Sequence, residues 1–234
     1  MKKMIFVVGI ISVIFVSCGT IFPKRGNGNL VASERGVSSF EKNNVRGSAE
    51  VRFHVSEEYR AVVTVDSNLD KYTEVYTRGN VLIIGSKRGT YFFTKYLVDV
   101  YCPTLTGVSM SGSGKFSSDD TIITSTFDTS ISGSGAIDGT IECGNFSVNI
   151  SGSGKATVIG NSEDFRINIS GSGDFNGNEF STNNAVVRIS GSGKVYIGVT
   201  DDLKVNISGS GDLNYRGDPK TDLRISGSGR IRKI

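Results

Sequence analysis

The stretch "VNISGSGK", from Val148 to Lys155, contains a four-residue core, Ser-Gly-Ser-Gly, that recurs along the second half of the chain. Successive cores are separated by 21, 19, 19, 20, 18 and 18 residues. A unit that repeats about every 20 residues is typical of a solenoid, in which successive coils stack on one another. The seven cores begin at Ser111, Ser132, Ser151, Ser170, Ser190, Ser208 and Ser226.

The flanks of the core alternate between apolar and polar residues. Before the core in the quoted unit, Phe146, Val148 and Ile150 occupy every second position, and after it come Ala156 and Val158. Alternation with β-branched residues predicts strands with one buried face. We therefore predict an all-β fold, a parallel β-helix whose coils consist of a strand, a corner, a second strand and a looser return. The glycines supply positive φ or close backbone approach at each corner.

Two apolar stacks are expected inside this helix. Isoleucine precedes the core in six units and Met110 in the other. The second stack lies two residues after the last glycine of each core and comprises Phe116, Ile137, Ala156, Phe175, Val195, Leu213 and Ile231.

The residue directly after each core adds a charge pattern. From Lys155 onward its sign alternates at every coil, through Asp174, Lys194, Asp212 and Arg230. In-register stacking sets these opposite charges side by side, each exposed pair contributing about 0.5 kcal/mol.

The first residues are typical of an export signal. Lys2 and Lys3 precede an apolar run that ends in Val16-Ser17-Cys18. The run has the length of a signal-peptide core and is too short for a membrane span. It resembles a bacterial lipoprotein signal, which implies cleavage after residues 1–17 and lipidation of Cys18. An ordinary secretory signal with an incidental cysteine is the alternative.

The remaining chain divides into two parts. Residues 18–35, which include "GTIFPKRGNGN", are predicted to be a flexible tether. Residues 36–234 are predicted to form a single β-helix domain, with irregular N-terminal coils or a capping layer at 36–107 and the seven repeats at 108–234. The final "RIRKI" offers no capping helix, so basic side chains guard an open strand edge, or a second copy covers it.

Cys102 and Cys143 are separated by 41 residues, about two coils. Two coils place their Cα atoms about 9.6 Å apart, whereas a disulfide needs less than about 7 Å. We predict two free thiols.

The candidate chemical residues favour structure over catalysis. A phosphate loop requires a helix after the glycines, and here a strand pattern follows. Asp174 and Asp212 are the strongest candidates for a polysaccharide-cleaving pair, but Lys194 between them is expected to keep both ionised. His54 is the only histidine and lacks partners for a metal site or a triad. We predict no catalytic, cofactor-binding or metal-binding residues.

Other candidates carry little weight. Asp119-Asp120 and Asp201-Asp202 are expected in solvated return loops. The glycosylation triplets that begin at Asn149, Asn168 and Asn206 recur because the unit recurs. Without Lys2 and Lys3 the chain carries 24 basic and 23 acidic side chains, a balance that gives no electrostatic case for nucleic-acid binding.

A lipoprotein signal followed by "VSSFEKNNVRGSAEVRFHV", "VVTVDSNLDKYTEVYTRGNVLII" and repeated SGSG corners resembles a known family. This is the putative auto-transporter adhesin, head GIN domain family of Bacteroidota envelope proteins. The resemblance covers residues 36–234 and implies a right-handed parallel β-helix without an established catalytic site. It implies an adhesin or scaffold on the cell envelope, held at the outer membrane by its lipid.

Two functions remain open at this point. The first is a non-catalytic adhesin or scaffold whose rigid β surface contacts glycans, host proteins or envelope proteins. The second is a β-helix protein that binds a glycan, with or without cleaving it. A homo-oligomer is compatible with either function.

Overall fold

The computed structural model describes residues 23–234, which contain eighteen strands and a short 3-10 turn at Asp70–Tyr72. The strands are β1 (Lys24–Arg25), β2 (Leu30–Arg35), β3 (Lys42–Gly47), β4 (Glu50–Val55), β5 (Arg60–Asp66), β6 (Thr73–Arg78), β7 (Val81–Ser86), β8 (Tyr91–Phe92), β9 (Tyr96–Cys102), β10 (Gly107–Gly112), β11 (Lys115–Gly133), β12 (Ala136–Gly152), β13 (Lys155–Gly171), β14 (Asp174–Gly191), β15 (Lys194–Gly209), β16 (Asp212–Arg216), β17 (Lys220–Gly227) and β18 (Arg230–Lys233).

The repeats stack in parallel and in register. In β11 to β14 one long strand runs from each corner to the next, and equivalent corner glycines such as Gly133, Gly152 and Gly171 are direct partners. The chain forms a β-solenoid of about seven turns with coils of about 19 residues, so the predicted parallel β-helix is confirmed. The returns expected to be loose are also extended, because each pairs with the return of the next coil.

Both predicted apolar stacks line the interior. From Met110 to Ile207, the residue before each corner is at most 2% exposed. The second stack is buried from Phe116 to Leu213. Residues of the last described coil are more exposed, with Ile231 partly buried and Ile225 45% exposed, because no further coil within residues 23–234 covers them.

Large and small side chains compensate one another between neighbouring coils. In the row that begins Phe127, Phe146, Phe165, the next residue is Ala185. The same coil supplies Phe180, whose ring centroid lies 5.4 Å from that of Phe165. Phe180 pairs in register with Gly160 of the preceding coil. Because Gly160 has no side chain, there is space beside it for the ring of Phe180. The solenoid keeps a filled core without a strictly repeated sequence.

The two glycines of each corner are required for different reasons. Gly152, the first glycine of its core, has φ +113°, and a Cβ there would lie 2.6 Å from the carbonyl oxygen of Gly133. Gly193 is the second glycine of its core and has no positive φ. A Cβ on Gly193 would lie 2.7 Å from Ile169 Cγ2, one coil earlier. The first glycine is needed for both its backbone conformation and its space, and the second for its space.

The N-terminal coils are less irregular than predicted, but they are out of chain order. Arg46–Ala49 forms an eighth corner, because β3 and β4 pair in register with β10 and with the start of β11. The coil made by β7 and β9 comes later in the chain but stacks on the outer side of β3 and β4. Antiparallel strands β5 and β6 pair with β9 and β7, and β2 pairs with β5. These three strands extend the sheets beyond the coil made by β7 and β9.

The tether prediction for residues 18–35 is wrong for its second half. Leu30–Arg35 pairs with β5 along its whole length, and β1 pairs with β8. The buried carboxylate of Asp66 accepts hydrogen bonds from the backbone amides of Gly28 and Thr94, each at 2.8 Å. These contacts hold a glycine- and asparagine-rich segment whose composition alone indicates flexibility. Residues 18–22 lie outside the described residues.

The prediction of two free thiols is confirmed. Cys102 is buried and Cys143 is partly buried. Burial raises the pKa of Cys102 to about 12 and that of Cys143 to about 11.

Candidate recognition surface

The predicted charge row exists, and its register places each carboxylate beside a basic residue of the neighbouring coil. Register pairs Asp174 with Lys194, Lys194 with Asp212, and Asp212 with Arg230. Arg230 Nε lies 3.1 Å from Asp212 Oδ1, and the backbone amide of Lys194 donates to Asp174 Oδ1 at 3.0 Å. The hydrogen bond from Arg230, with the charges of Arg232 and Lys194, holds the pKa of Asp212 below its usual range.

Asp212 is therefore poorly suited to act as a general acid. A general acid needs a carboxyl group whose pKa is raised, usually by burial away from positive charge. Asp212 instead lies beside positively charged side chains, and its pKa is lowered.

The other sequence candidates are dispersed over the molecule. His54 stacks on Tyr101, with ring centroids 4.8 Å apart, and its Nε2 lies 3.3 Å from Asp99 Oδ1. Asp119-Asp120 and Asp201-Asp202 are exposed as expected, but they lie within β11 and β15 instead of in loops. Within residues 23–234, no three His, Cys, Asp or Glu side chains group closely enough to hold a metal ion. Each corner with a described continuation is followed by a strand and not by a helix.

A different surface brings repeated side chains together. The segment before each corner directs alternate residues outward, and in-register pairing turns these residues into two parallel rows. The first row is Ser130, Asn149, Asn168, Arg188 and Asn206, and the second is Ser132, Ser151, Ser170, Ser190 and Ser208. We call these two rows the recognition face.

The recognition face contains a shallow groove. Its volume is about 510 Å³, and its floor includes the strand positions of Ile131, Ile150, Ile169 and Ile189. Neighbouring rungs lie about 4.8 Å apart, and the two rows lie about 7 Å apart. Asn168 Nδ2 donates to Asn149 Oδ1 at 3.0 Å, so adjacent amides orient one another. Arg188 is the only charged side chain that lines the groove.

A second groove borders the first on the same outward surface. It has a volume of about 410 Å³ and carries charge, with Asp128, Asp164 and Arg166 among its lining residues. Asn184 Nδ2 donates to Asp164 Oδ1 at 3.0 Å, and Lys42 Nζ lies 3.4 Å from Asp128. On the strands that precede the corners, the outward surface is therefore charged farther from the corner and nearly neutral next to it.

The groove was not predicted from the sequence. The signal was available in the repeated Asn-Ile-Ser triplets, which place an amide and a hydroxyl two positions apart on one face.

The family comparison agrees with this fold. A family model described as "Putative auto-transporter adhesin, head GIN domain" matches residues 39–219. The chain belongs to this family. Membership supports an adhesin-like role at the cell surface or in the cell envelope.

Solved structures share the architecture. A putative lipid binding protein from Parabacteroides distasonis ATCC 8503 is 27% identical, with a TM-score of 0.75 and coverage of 91% of this chain and 99% of that chain. A putative adhesin from Bacteroides fragilis NCTC 9343 is 21% identical, with a TM-score of 0.82 and coverage of 90% and 99%. A putative adhesin from Parabacteroides merdae ATCC 43184 is 22% identical, with a TM-score of 0.73 and coverage of 91% and 99%. No curated protein matches the chain.

The predicted lipidation site, Cys18, lies outside the described residues. Between residues 23 and 234, no helix is long and apolar enough to cross a membrane.

Proposed function

We propose that this protein is a lipid-anchored, non-catalytic adhesin of the cell envelope that binds its partner on the recognition face. The observation that carries the proposal is the pair of in-register rows of neutral hydrogen-bonding side chains beside the corners. A rigid solenoid presents such rows in fixed positions, so a ligand does not have to order them on binding.

The groove combines a mostly apolar surface with rows of amides and hydroxyls, which suits a neutral ligand such as a glycan chain, whose sugar rings have apolar faces and hydroxyl-bearing edges. Asparagine amides and serine hydroxyls both donate and accept hydrogen bonds, as sugar hydroxyls do. The lining residues contain no carboxylate, and Arg188 is their only cation. A repeated ligand lying along the solenoid axis would meet the same pair of groups at each coil.

A glycan array probed with the purified protein tests this binding. Ser170 is exposed in the middle of the groove, so Ser170→Tyr should block it and abolish glycan binding. Ile159→Tyr adds a ring of the same size on the return segment, where Ile159 is 43% exposed, and should leave binding intact. Equal binding by both variants and the wild type would place the ligand elsewhere.

Polysaccharide cleavage is the competing function, and the same protein can be assayed for it. We expect no released products from acidic or neutral polysaccharides, because Asp212 lies beside Arg230 and Lys194. Product release that disappears in Asp174→Asn or Asp212→Asn would overturn the non-catalytic part of the proposal.

The anchor is tested separately at Cys18. Replacement of Cys18 with alanine should abolish incorporation of a labelled fatty acid and release the protein from the membrane fraction. Labelling that persists in Cys18→Ala would contradict lipidation at this residue, whatever the outcome of the glycan experiment.

A further inference from the structure

The last coil exposes apolar residues in rows that the preceding coil buries. Leu223 and Ile225 are 42% and 45% exposed, whereas their partners Val205 and Ile207 are 1% and 0% exposed. Every residue of β17 is exposed, and within residues 23–234 its only strand partner is β15. β17 therefore presents both an apolar stripe and unpaired backbone groups to a further strand.

The charges on β17 are arranged symmetrically about Leu223. Asp222 precedes it and Arg224 follows it, both outward and exposed. Within the chain, Arg224 Nε lies 3.4 Å from Asp222 Oδ1 and Lys204 Nζ lies 3.8 Å from Asp222 Oδ2, and both contacts are on the surface. In an antiparallel pair of β17 strands with the twofold axis at Leu223, Asp222 of each copy faces Arg224 of the other. Directly opposite Cβ atoms in such a pair are about 5 Å apart, within reach of an ion pair. A parallel in-register pair would set Asp222 against Asp222 and Arg224 against Arg224.

Other elements at the ends of the solenoid lack this combination of an uncovered core row and complementary charges. β18 carries no acidic residue, so a second β18 strand would set only basic side chains opposite its own. At the N-terminal end, β2 and β6 are also edge strands within residues 23–234. The inward Thr73 and Val75 of β6 are already buried, and β2 carries its opposite charges, Glu34 and Arg35, on opposite faces. A contact between opposite ends would also propagate into a filament, whereas a twofold contact closes.

We propose that two copies of this chain associate end to end through β17, in an antiparallel pair centred on Leu223. The core rows of the two solenoids then become continuous across the interface. Leu223 contacts Leu223 of the partner subunit, and two Asp222–Arg224 ion pairs close on the outer surface.

Sedimentation velocity of the detergent-solubilised full chain, over a wide range of concentrations, tests the association. Asp222→Arg replaces two attractive pairs with two repulsive ones and should raise the dimer dissociation constant roughly 30-fold. Combining it with Arg224→Asp restores opposite charges and should recover dimerisation. Arg166→Asp, a charge reversal on an interior coil, should have no effect. A monomer at all concentrations, or assemblies that keep growing, would refute the proposal.

Cysteine cross-linking tests the register. Leu223→Cys places one thiol against its symmetry mate and should yield a covalent dimer under mild oxidation. Ile225→Cys and Thr221→Cys each place the two thiols about 14 Å apart along the strands and should not cross-link. Because all three positions are exposed, folding is not at risk. Cross-linking that is equal at the three positions, or strongest at Ile225→Cys, would overturn the proposed register.

Discussion

The second glycine of the corner provides a direct test of how tightly the coils stack. At Gly193 an added Cβ would lie 2.7 Å from Ile169 Cγ2, and the carbonyl oxygen of Gly173 is also in its way. Ordinary carbon contacts begin near 3.4 Å, so the neighbouring coil must move. Because Ile169 lies between Ile150 and Ile189 in a filled stack, the movement cannot be confined to one side chain. Overpacking of this kind costs about 1–3 kcal/mol.

The variants Gly193→Ala and Gly139→Ala form a matched pair. At Gly139 the nearest atom to an added Cβ is Ser118 Cβ at 3.6 Å, an ordinary contact. Gly139→Ala should therefore stabilise the protein by about 0.4–1 kcal/mol through the unfolded chain. Urea unfolding measures both free energies. At about 2–4 °C per kcal/mol, thermal melting should separate the two variants by several degrees. Equal stability of the two variants would refute the assignment of the second glycine to close packing.

Three further predictions concern the core and the N-terminal segment. Phe180→Ala should lower the free energy of unfolding by about 3–5 kcal/mol because Phe180 is fully buried, whereas Phe92→Ala at a 52% exposed ring should change it little, as urea unfolding would show. Burial opposes ionisation of Asp66, but hydrogen bonds from Thr94, Gly28 and Lys95 outweigh it and leave its pKa below the usual range. The stability that Asp66 contributes should therefore be present above its unfolded-state pKa of about 3.9 and be lost as pH falls through the lower folded-state pKa. Asp66→Asn should remove this part of the acid dependence and cost about 1–3 kcal/mol at neutral pH, and an unchanged acid profile would contradict it. Cys102 and Cys143, whose pKa values are raised to about 12 and about 11, should resist alkylation at pH 8 in the folded protein and react once it is unfolded, with mass spectrometry locating the label.

Much of the recognition face follows from periodicity alone. Once the coils are in register, residues 19 or 20 positions apart, such as Asn149, Asn168 and Arg188, must lie in one row. The groove between the rows could not be predicted in the same way. It depends on the curvature of the outward surface and on which way each side chain turns.

The charge row also has one feature that periodicity predicts and one that it does not. The alternation of sign predicted the register pairs correctly from Lys155 to Arg230. In the row from Lys155 to Arg230, however, the side-chain ion pair within 4 Å is the one between Arg230 and Asp212. Side-chain rotamers decide such contacts, and long exposed side chains have many of them.

The sequence by itself determined the fold of the repeat region. An SGSG corner recurs about every 20 residues, and apolar residues alternate on both sides of it. With this pattern, a coil can bury its apolar side only by stacking on its neighbours. The sequence could not order the N-terminal coils, because their pairing is not periodic. β7 pairs with β3, and β9 pairs with β4, on the outer side of that coil. The paired segments are about 40 residues apart in the chain and share no motif. Backbone pairing and one buried carboxylate, that of Asp66, decided that Leu30–Arg35 is a strand in place of a tether. Those contacts are made with distant residues, so only the tertiary structure contains the reason.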